Sequence, residues 1–290
     1  MKIKFWGTRG LISSPRKDTA VYGGNTTCMQ IEHKNQIIII DTGFGACNLG
    51  EELMDRILNE GENLHIHIFY THFHWDHIQG LPFFHPIYFE SSTINIYSPL
   101  PVNVAHANLN LLFDGSYSPF AGIDSMASSI SFHQLTTPVL VDGITVDSIE
   151  LDHGQNSEEG VESHCFGLRF IDSEGNKIVI ATDHEARPSE LNKKFIDFAK
   201  GANILVHDAQ YTQEEYQTRT GWGHSTFSQA IENGKKSNAE KVLLTHHHPK
   251  RTDSEIDEIA EKLCSDPRFA SINFEFAKES MAYDAKKDKG

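Results

Sequence analysis

The chain has 290 residues and a formal net charge of −15, with 39% hydrophobic and 22% charged residues. That length supports a core without disulfide or metal staples, and the mixture is that of an ordinary soluble globular protein. No segment approaches the roughly 18 apolar residues of a membrane span, no secretory leader is expected at the Met1 end, and the acidic balance argues against a large nucleic-acid partner.

No linker, repeat or low-complexity tract divides the sequence, so one domain is expected over residues 1–290. In chain order, residues 3–6, 27–32 and 36–40 alternate or run apolar at strand length, with turn residues between them. A helix is predicted over 48–59, with Leu49, Leu53, Ile57 and Leu58 on one face. Residues 65–70 read as a strand, and His65 and His67 on it as a polar sheet face. Residues 83–134 show no clear pattern.

Strands return at 144–151, before His153, and at 166–171 and 177–181, before Asp183. These last two are predicted to pair as a hairpin. Residues 204–206 precede His207 and Asp208, and 242–245 precede His246, His247 and His248. Helices are predicted over 190–200, 225–235 and 253–264. The four cysteines form no Cys-x-x-Cys pair; Cys28 and Cys165 lie in strand-like runs and read as buried thiols in a reducing, cytoplasmic setting.

The chemistry concentrates in Thr71-His72-Phe73-His74-Trp75-Asp76-His77. Imidazole and carboxylate are the ligands that borderline divalent metals take. In extended chain, residues two apart share a face, so His72 and His74 can pinch one ion. Asp76 and His77 follow where the chain must turn and can face a second. One further pattern repeats: a short apolar strand ends and His or Asp follows at once, after Tyr70, Leu151, Thr182, Val206 and Thr245. Strand ends on one rim can converge on one rigidly held site.

These residues resemble the His-x-His-x-Asp-His signature of the metallo-β-lactamase superfamily. His153 in Leu-Asp-His-Gly, Asp183 in Ala-Thr-Asp and His246 in Leu-Leu-Thr-His are similar to its remaining motifs. The resemblance implies an α/β (α+β) fold, a four-layer αββα sandwich with metals at one edge. It implies that His72, His74 and His153 hold one ion, that Asp76, His77 and His246 hold another, and that Asp183 bridges them. His247 or His248 stands as an alternative to His246. Two divalent ions, zinc with manganese or iron as alternatives, would lower the pKa of a bridging water and clamp the reacting centre.

A narrower resemblance lies in Gly221-Trp222-Gly223-His224-Ser225-Thr226 and Val206-His207-Asp208-Ala209. Both are similar to motifs of the phosphodiesterase branch, which includes the transfer-RNA 3′-processing endonuclease ribonuclease Z. The resemblance implies that His224 protonates the leaving oxygen and that Asp208 orients it, with Asp76 as a further catalytic residue. The chain departs from the pattern with Asp208 in place of Glu and Gln210 in place of Thr. The bland alternative for His224 is a cap on the helix that begins near Ser225. Asp41 is a candidate partner for a ligand imidazole, His184 and Glu185 could support the metal ligands, and the glycines near the start read as turns.

Bacterial ribonuclease Z carries a long arm after the third metal motif, whereas only residues 154–182 separate His153 from Asp183 here. The expected substrate is therefore a small anionic phosphodiester such as a cyclic nucleotide. Residues 83–132 would roof the pocket, and Phe84, Tyr88, Phe113, Tyr117 and Phe120 are candidates to stack on a base. Transfer-RNA processing, lactam or thioester hydrolysis and a non-catalytic binding module are the alternatives. Relatives of this branch imply a homodimer.

Overall fold

The computed structural model describes residues 1–34, 36–154 and 164–286. One sheet contains β1 (Lys2–Gly7), β2 (Cys28–His33), β3 (Gln36–Ile40), β4 (Leu64–Phe69), β5 (Ser92–Ser98) and β6 (Ser129–Gln134). The second contains β7 (Val139–Val141), β8 (Ile144–Glu150), β9 (Phe166–Ile171), β10 (Lys177–Ala181), β11 (Ile204–Asp208), β12 (Lys241–Thr245) and β13 (Phe274–Phe276). The chain then crosses back, and β14 (Ala282–Asp284) pairs with β1. The orders are β14-β1-β2-β3-β4-β5-β6 and β13-β12-β11-β10-β9-β8-β7. The helices are α1 (Gly45–Glu60), α2 (Trp75–Ile78), α3 (Val102–Asn110), α4 (Glu190–Phe198), α5 (Gln213–Tyr216), α6 (Phe227–Lys236) and α7 (Asp253–Cys264).

Strand alternation explains the layers. Ile38 and Ile40 of β3 join Phe5, Ile31, Phe69, Phe170, Ile178, Ile180, Val206 and Leu243 in a core between the sheets. Ile37 and Ile39 face the other way, against Leu49 and Leu53 of α1 and Leu109 of α3. On the far side, Val242 and Leu244 of β12 meet Ala230 and Ile231 of α6 and Ile256 of α7. Val179 and Leu205 meet Phe195 of α4. Central strands buried on both faces carry near-continuous apolar runs, which is why residues 37–40 are four isoleucines. The result is the αββα sandwich.

Strand direction sets up the site. β3 and β4 run parallel, as do β10, β11 and β12. β8 is antiparallel to β9, which is antiparallel to β10, so β8 shares β10's direction. The C-terminal ends of β8, β10, β11 and β12 therefore lie on one rim. The predicted hairpin of β9 and β10 forms as expected. Residues 83–134, unpatterned in sequence, hold β5, α3 and β6. β5 does alternate buried and half-buried residues, but serines occupy both buried ends and hide its period.

Candidate metal centre

The residues named from sequence converge at the strand ends. β4 stops at Phe69, and the chain reaches His72 three residues later. His74 is extended (φ −65°, ψ 153°) and leads into the single turn of α2. That turn carries Asp76 and His77 inward and leaves Trp75 70% exposed. His153 follows β8, Asp183 follows β10 and His246 follows β12 directly.

Ligand atoms of His72, His74 and His153 lie within 4.8 Å of one another, as do those of Asp76, His77 and His246, and those of His72, His77 and Asp183. Asp183 divides its oxygens between the two groups. Oδ2 lies 3.5 Å from His153 Nε2 and 3.9 Å from His72 Nε2. Oδ1 lies 3.1 Å from His77 Nε2 and 3.4 Å from His246 Nε2. Among the triplet 246–248, His246 joins the cluster, while His247 Nε2 turns to the Ala277 carbonyl at 3.0 Å.

This donor set fits divalent cations. His72 Nε2, His77 Nε2 and Asp183 Oδ1 are buried and make no well-aligned hydrogen bond among the described residues, although the last two lie 3.1 Å apart. Leaving a buried polar atom unpaired costs about 1–3 kcal/mol, and one ion in each group would satisfy all three. The electrostatics point the same way. Burial opposes charge on His77, yet Asp183, Asp76 and Asp41 outweigh it and lift this imidazole well above its ordinary pKa. Burial likewise opposes charge on Asp183, yet His246, His77, His153 and His72 hold it well below the usual carboxylate range. Burial lowers His74 to about 4. The carboxylates of the centre demand positive charge, which a divalent cation would supply in place of the proton on His77.

A surrounding layer fixes the rings. Asp41, at φ 57° just past β3, accepts His77 Nδ1–H at 2.8 Å and both the amide and hydroxyl of Thr71 at 2.8 Å. This is the role expected for Asp41. His153 Nδ1–H donates to the Gly223 carbonyl at 2.9 Å. The Leu11 amide donates to Asp76 Oδ2 at 2.7 Å. Gly10 is more than a turn: a Cβ there would lie 2.2 Å from the His246 ring. The Cys165 thiol contacts His72 Nδ1 at 3.7 Å, and the Gln210 amide lies 3.0 Å from His246 Nδ1. Sequence reasoning missed Leu11, Gly10, Cys165, Gln210 and Gly223 as supports. The contributions of Leu11 and Gly223 are backbone groups, which no residue type announces.

His224 and Asp208 meet beside this cluster. His224 Nδ1 lies 2.7 Å from Asp208 Oδ2, and Asp208 Oδ1 accepts the Ser225 amide at 2.9 Å. Aspartate reaches the imidazole because Asp208 is the last residue of β11 itself, which runs two residues beyond the predicted strand. The His224 ring stacks on His246 (4.9 Å between centroids, 21°) and lies 5.2 Å from His153. The cap of α6 is Thr226, so the capping alternative for His224 does not hold. Burial pushes His224 below its ordinary value, while Asp183 and Asp76 pull it back. Burial raises the Asp208 carboxyl well above its usual range.

Other expectations fare differently. Phe84 and Phe113 are fully buried core residues and cannot stack on a base. Tyr88, Tyr117 and Phe120 do line a groove of about 460 Å³, together with Trp75, Phe83 and Leu111. His67 is buried against Asp142 at 2.9 Å, whereas His65 beside it is exposed. A larger cleft of about 620 Å³ near Gln36, His65 and Asp142 opens at the starts of β3 and β4, away from the metal rim. In the interval 154–182, β9 and β10 are in place, and residues 155–163 lie outside the described residues.

Two sheets between helical layers, with a His/Asp cluster at the strand ends, define a metal-dependent hydrolase fold, and a family model described as the beta-lactamase superfamily domain matches residues 36–247. The chain belongs to that superfamily, and proteins named ribonuclease Z are among the relatives it resembles. Ribonuclease Z from Pyrococcus abyssi is 24% identical, over 91% of this chain and 92% of its own length. The structure of unliganded yeast PDE1 superposes with a TM-score of 0.67 at 15% identity, covering 97% of this chain and 98% of that one. A diphosphatase from the PhnP family superposes with a TM-score of 0.65 at 16% identity, covering 98% and 97%. At such identities the two structures show the shared fold alone. The fold calls for a divalent metal.

Proposed function

We propose that this hydrolase is a binuclear phosphodiesterase acting on a small phosphodiester such as a cyclic nucleotide. The observation that carries the reading is the His224–Asp208 pair, 2.7 Å apart and packed against the His246 ring. Lactam or thioester hydrolysis would give such a pair no purpose, whereas an alkoxide leaving from phosphorus needs a proton.

In this reading His72, His74 and His153 would hold one ion, Asp76, His77 and His246 would hold the other, and Asp183 would serve both. Such ions, zinc or else manganese or iron, would lower the pKa of a water and neutralise charge on the phosphoryl oxygens. His224 presents Nε2 to the leaving oxygen because Asp208 occupies Nδ1, and Asp208 keeps the ring turned that way. Asp76 is kept in line by the Leu11 amide. The groove beside Trp75 gives an apolar seat for a base-sized group, which favours a compact substrate. The related Pyrococcus abyssi protein bears the name ribonuclease Z, so processing of transfer RNA is the second reading. A cytoplasmic homodimer completes the proposal; among the described residues no helix is long and apolar enough to cross a membrane.

The test is a substrate panel read on metal-loaded protein: bis-p-nitrophenyl phosphate, cyclic nucleotides, a precursor transfer RNA, a lactam and a thioester. Cleavage of the small diesters, with about two ions per chain by elemental analysis, is the expected outcome. Turnover of the transfer RNA alone selects the second reading, and turnover of lactam or thioester alone removes both.

A further inference from the structure

Glu185 stands two residues beyond Asp183, and its carboxylate is fully buried. Such a group must find hydrogen-bond donors, and it finds three on one loop system. Tyr216 OH of α5 donates to Oε1 at 2.6 Å, the Gly221 amide to Oε1 at 2.8 Å and the Gly223 amide to Oε2 at 2.9 Å. Its own amide donates to the Asp152 carbonyl at 2.7 Å, next to His153. Arg187 then ties the same two segments together through Asp152, at 2.7 and 3.1 Å.

The loop so held is Gly221-Trp222-Gly223-His224. Both glycines have positive φ, 87° and 85°, so the loop adopts a conformation that other residues resist. A Cβ on Gly223 would also lie 2.5 Å from His153 Nδ1. Gly223 thus has two jobs in one peptide neighbourhood. Its N–H is held by Glu185, and its carbonyl accepts His153 Nδ1–H. That second bond fixes the tautomer that leaves the His153 Nε2 lone pair facing His74 and Asp183. The next residue is the proton donor.

We propose that Glu185 is a positioning residue that couples one metal position to the proton donor: by clamping Gly221 and Gly223 it sets both the His153 ring and the His224 ring. It touches neither substrate nor ion. The inference rests on the assignment of His153 and His224 in the proposed function.

The experiment is Glu185→Gln in the metal-loaded protein. The amide keeps one acceptor oxygen but turns its NH₂ toward at least one of the three donors, so the clamp opens. Competition against a chromophoric chelator should show one zinc ion bound 10–100-fold more weakly, the usual cost of losing a partner of a metal-bound histidine, with the other ion unchanged. Hydrolysis of diesters with poor leaving groups should fall more than that of p-nitrophenyl diesters. A lower melting temperature with both zinc affinities and the leaving-group ratio unchanged overturns the proposal. So does equal weakening of both ions. If Glu185→Gln does not fold, Tyr216→Phe removes one donor only and should weaken the same ion by a smaller factor; unchanged zinc binding there also overturns it. Wild-type protein that binds no zinc instead sinks the assignment of the ligands, a result separable from any effect of Glu185.

Discussion

A general acid must hold a proton where the leaving oxygen can take it. Burial holds His224 below its ordinary pKa against the opposing pull of Asp183 and Asp76, and its Nδ1 lies 2.7 Å from Asp208. Proton donation matters only when the leaving group cannot depart as an anion. His224→Ala is therefore expected to slow diesters with poor leaving groups by roughly 10²–10⁴-fold while sparing p-nitrophenyl diesters. Equal loss on both classes, in steady-state kinetics at matched metal content, would mean that the ring serves only packing. At this scale the sequence was informative wherever a side chain itself carries the chemistry. Four ligand-type residues within six positions, and His or Asp behind each apolar run, named the residues that converge here. It was silent where function falls to a backbone group, such as the Leu11 amide on Asp76 or the Gly223 carbonyl on His153.

Elements deliver these groups at fixed angles, and the start of α6 is the clearest case. Thr226 Oγ1 accepts the Gln229 amide at 3.1 Å, and Gln229 Oε1 accepts the Thr226 amide at 2.8 Å, closing a capping box. His224 is two residues earlier, so the cap fixes where the loop ends and the helix begins. Thr226→Ala should cost about 1 kcal/mol in urea unfolding and leave the metal content intact. A loss of bound zinc at unchanged stability would show that the cap acts on the site instead. Strands buried on both faces and well-capped helices were legible: β3, β10 and α7 fall where periodicity puts them. The single turn of α2 was not, because four residues carry no helical period. β6, β7 and β13 were not, because short or largely exposed edge strands need few apolar residues.

The whole molecule depends on polar groups buried beneath the rim as well as on its apolar layers. His207 points to the opposite face of β11 from Asp208. Its Nδ1–H donates to the Asp208 carbonyl at 2.8 Å, and its Nε2 accepts from Asn233 at 3.1 Å. Asn233 in turn donates to Asn192, whose oxygen accepts His184 Nε2–H at 2.9 Å. Every nitrogen of His207 is thus used in its neutral form. Burial, and after it His184, lowers its pKa to about 3. The folded value lies below the unfolded value of about 6.5, so the unfolded chain takes up a proton first as the solution acidifies. The contribution to stability is complete above pH ~6.5 and is lost as the pH falls toward ~3, by up to about tenfold in the unfolding equilibrium per pH unit. His207→Gln cannot titrate there. Urea midpoints measured at pH 7, 6 and 5 with matched zinc should therefore fall less steeply for the variant than for the wild type, whatever the offset at pH 7. The ligand histidines lose their metal equally in both proteins, so the difference in slope belongs to His207. Parallel slopes would mean that the folded protein accepts this proton, and that the Asn233–Asn192 network rearranges to receive it.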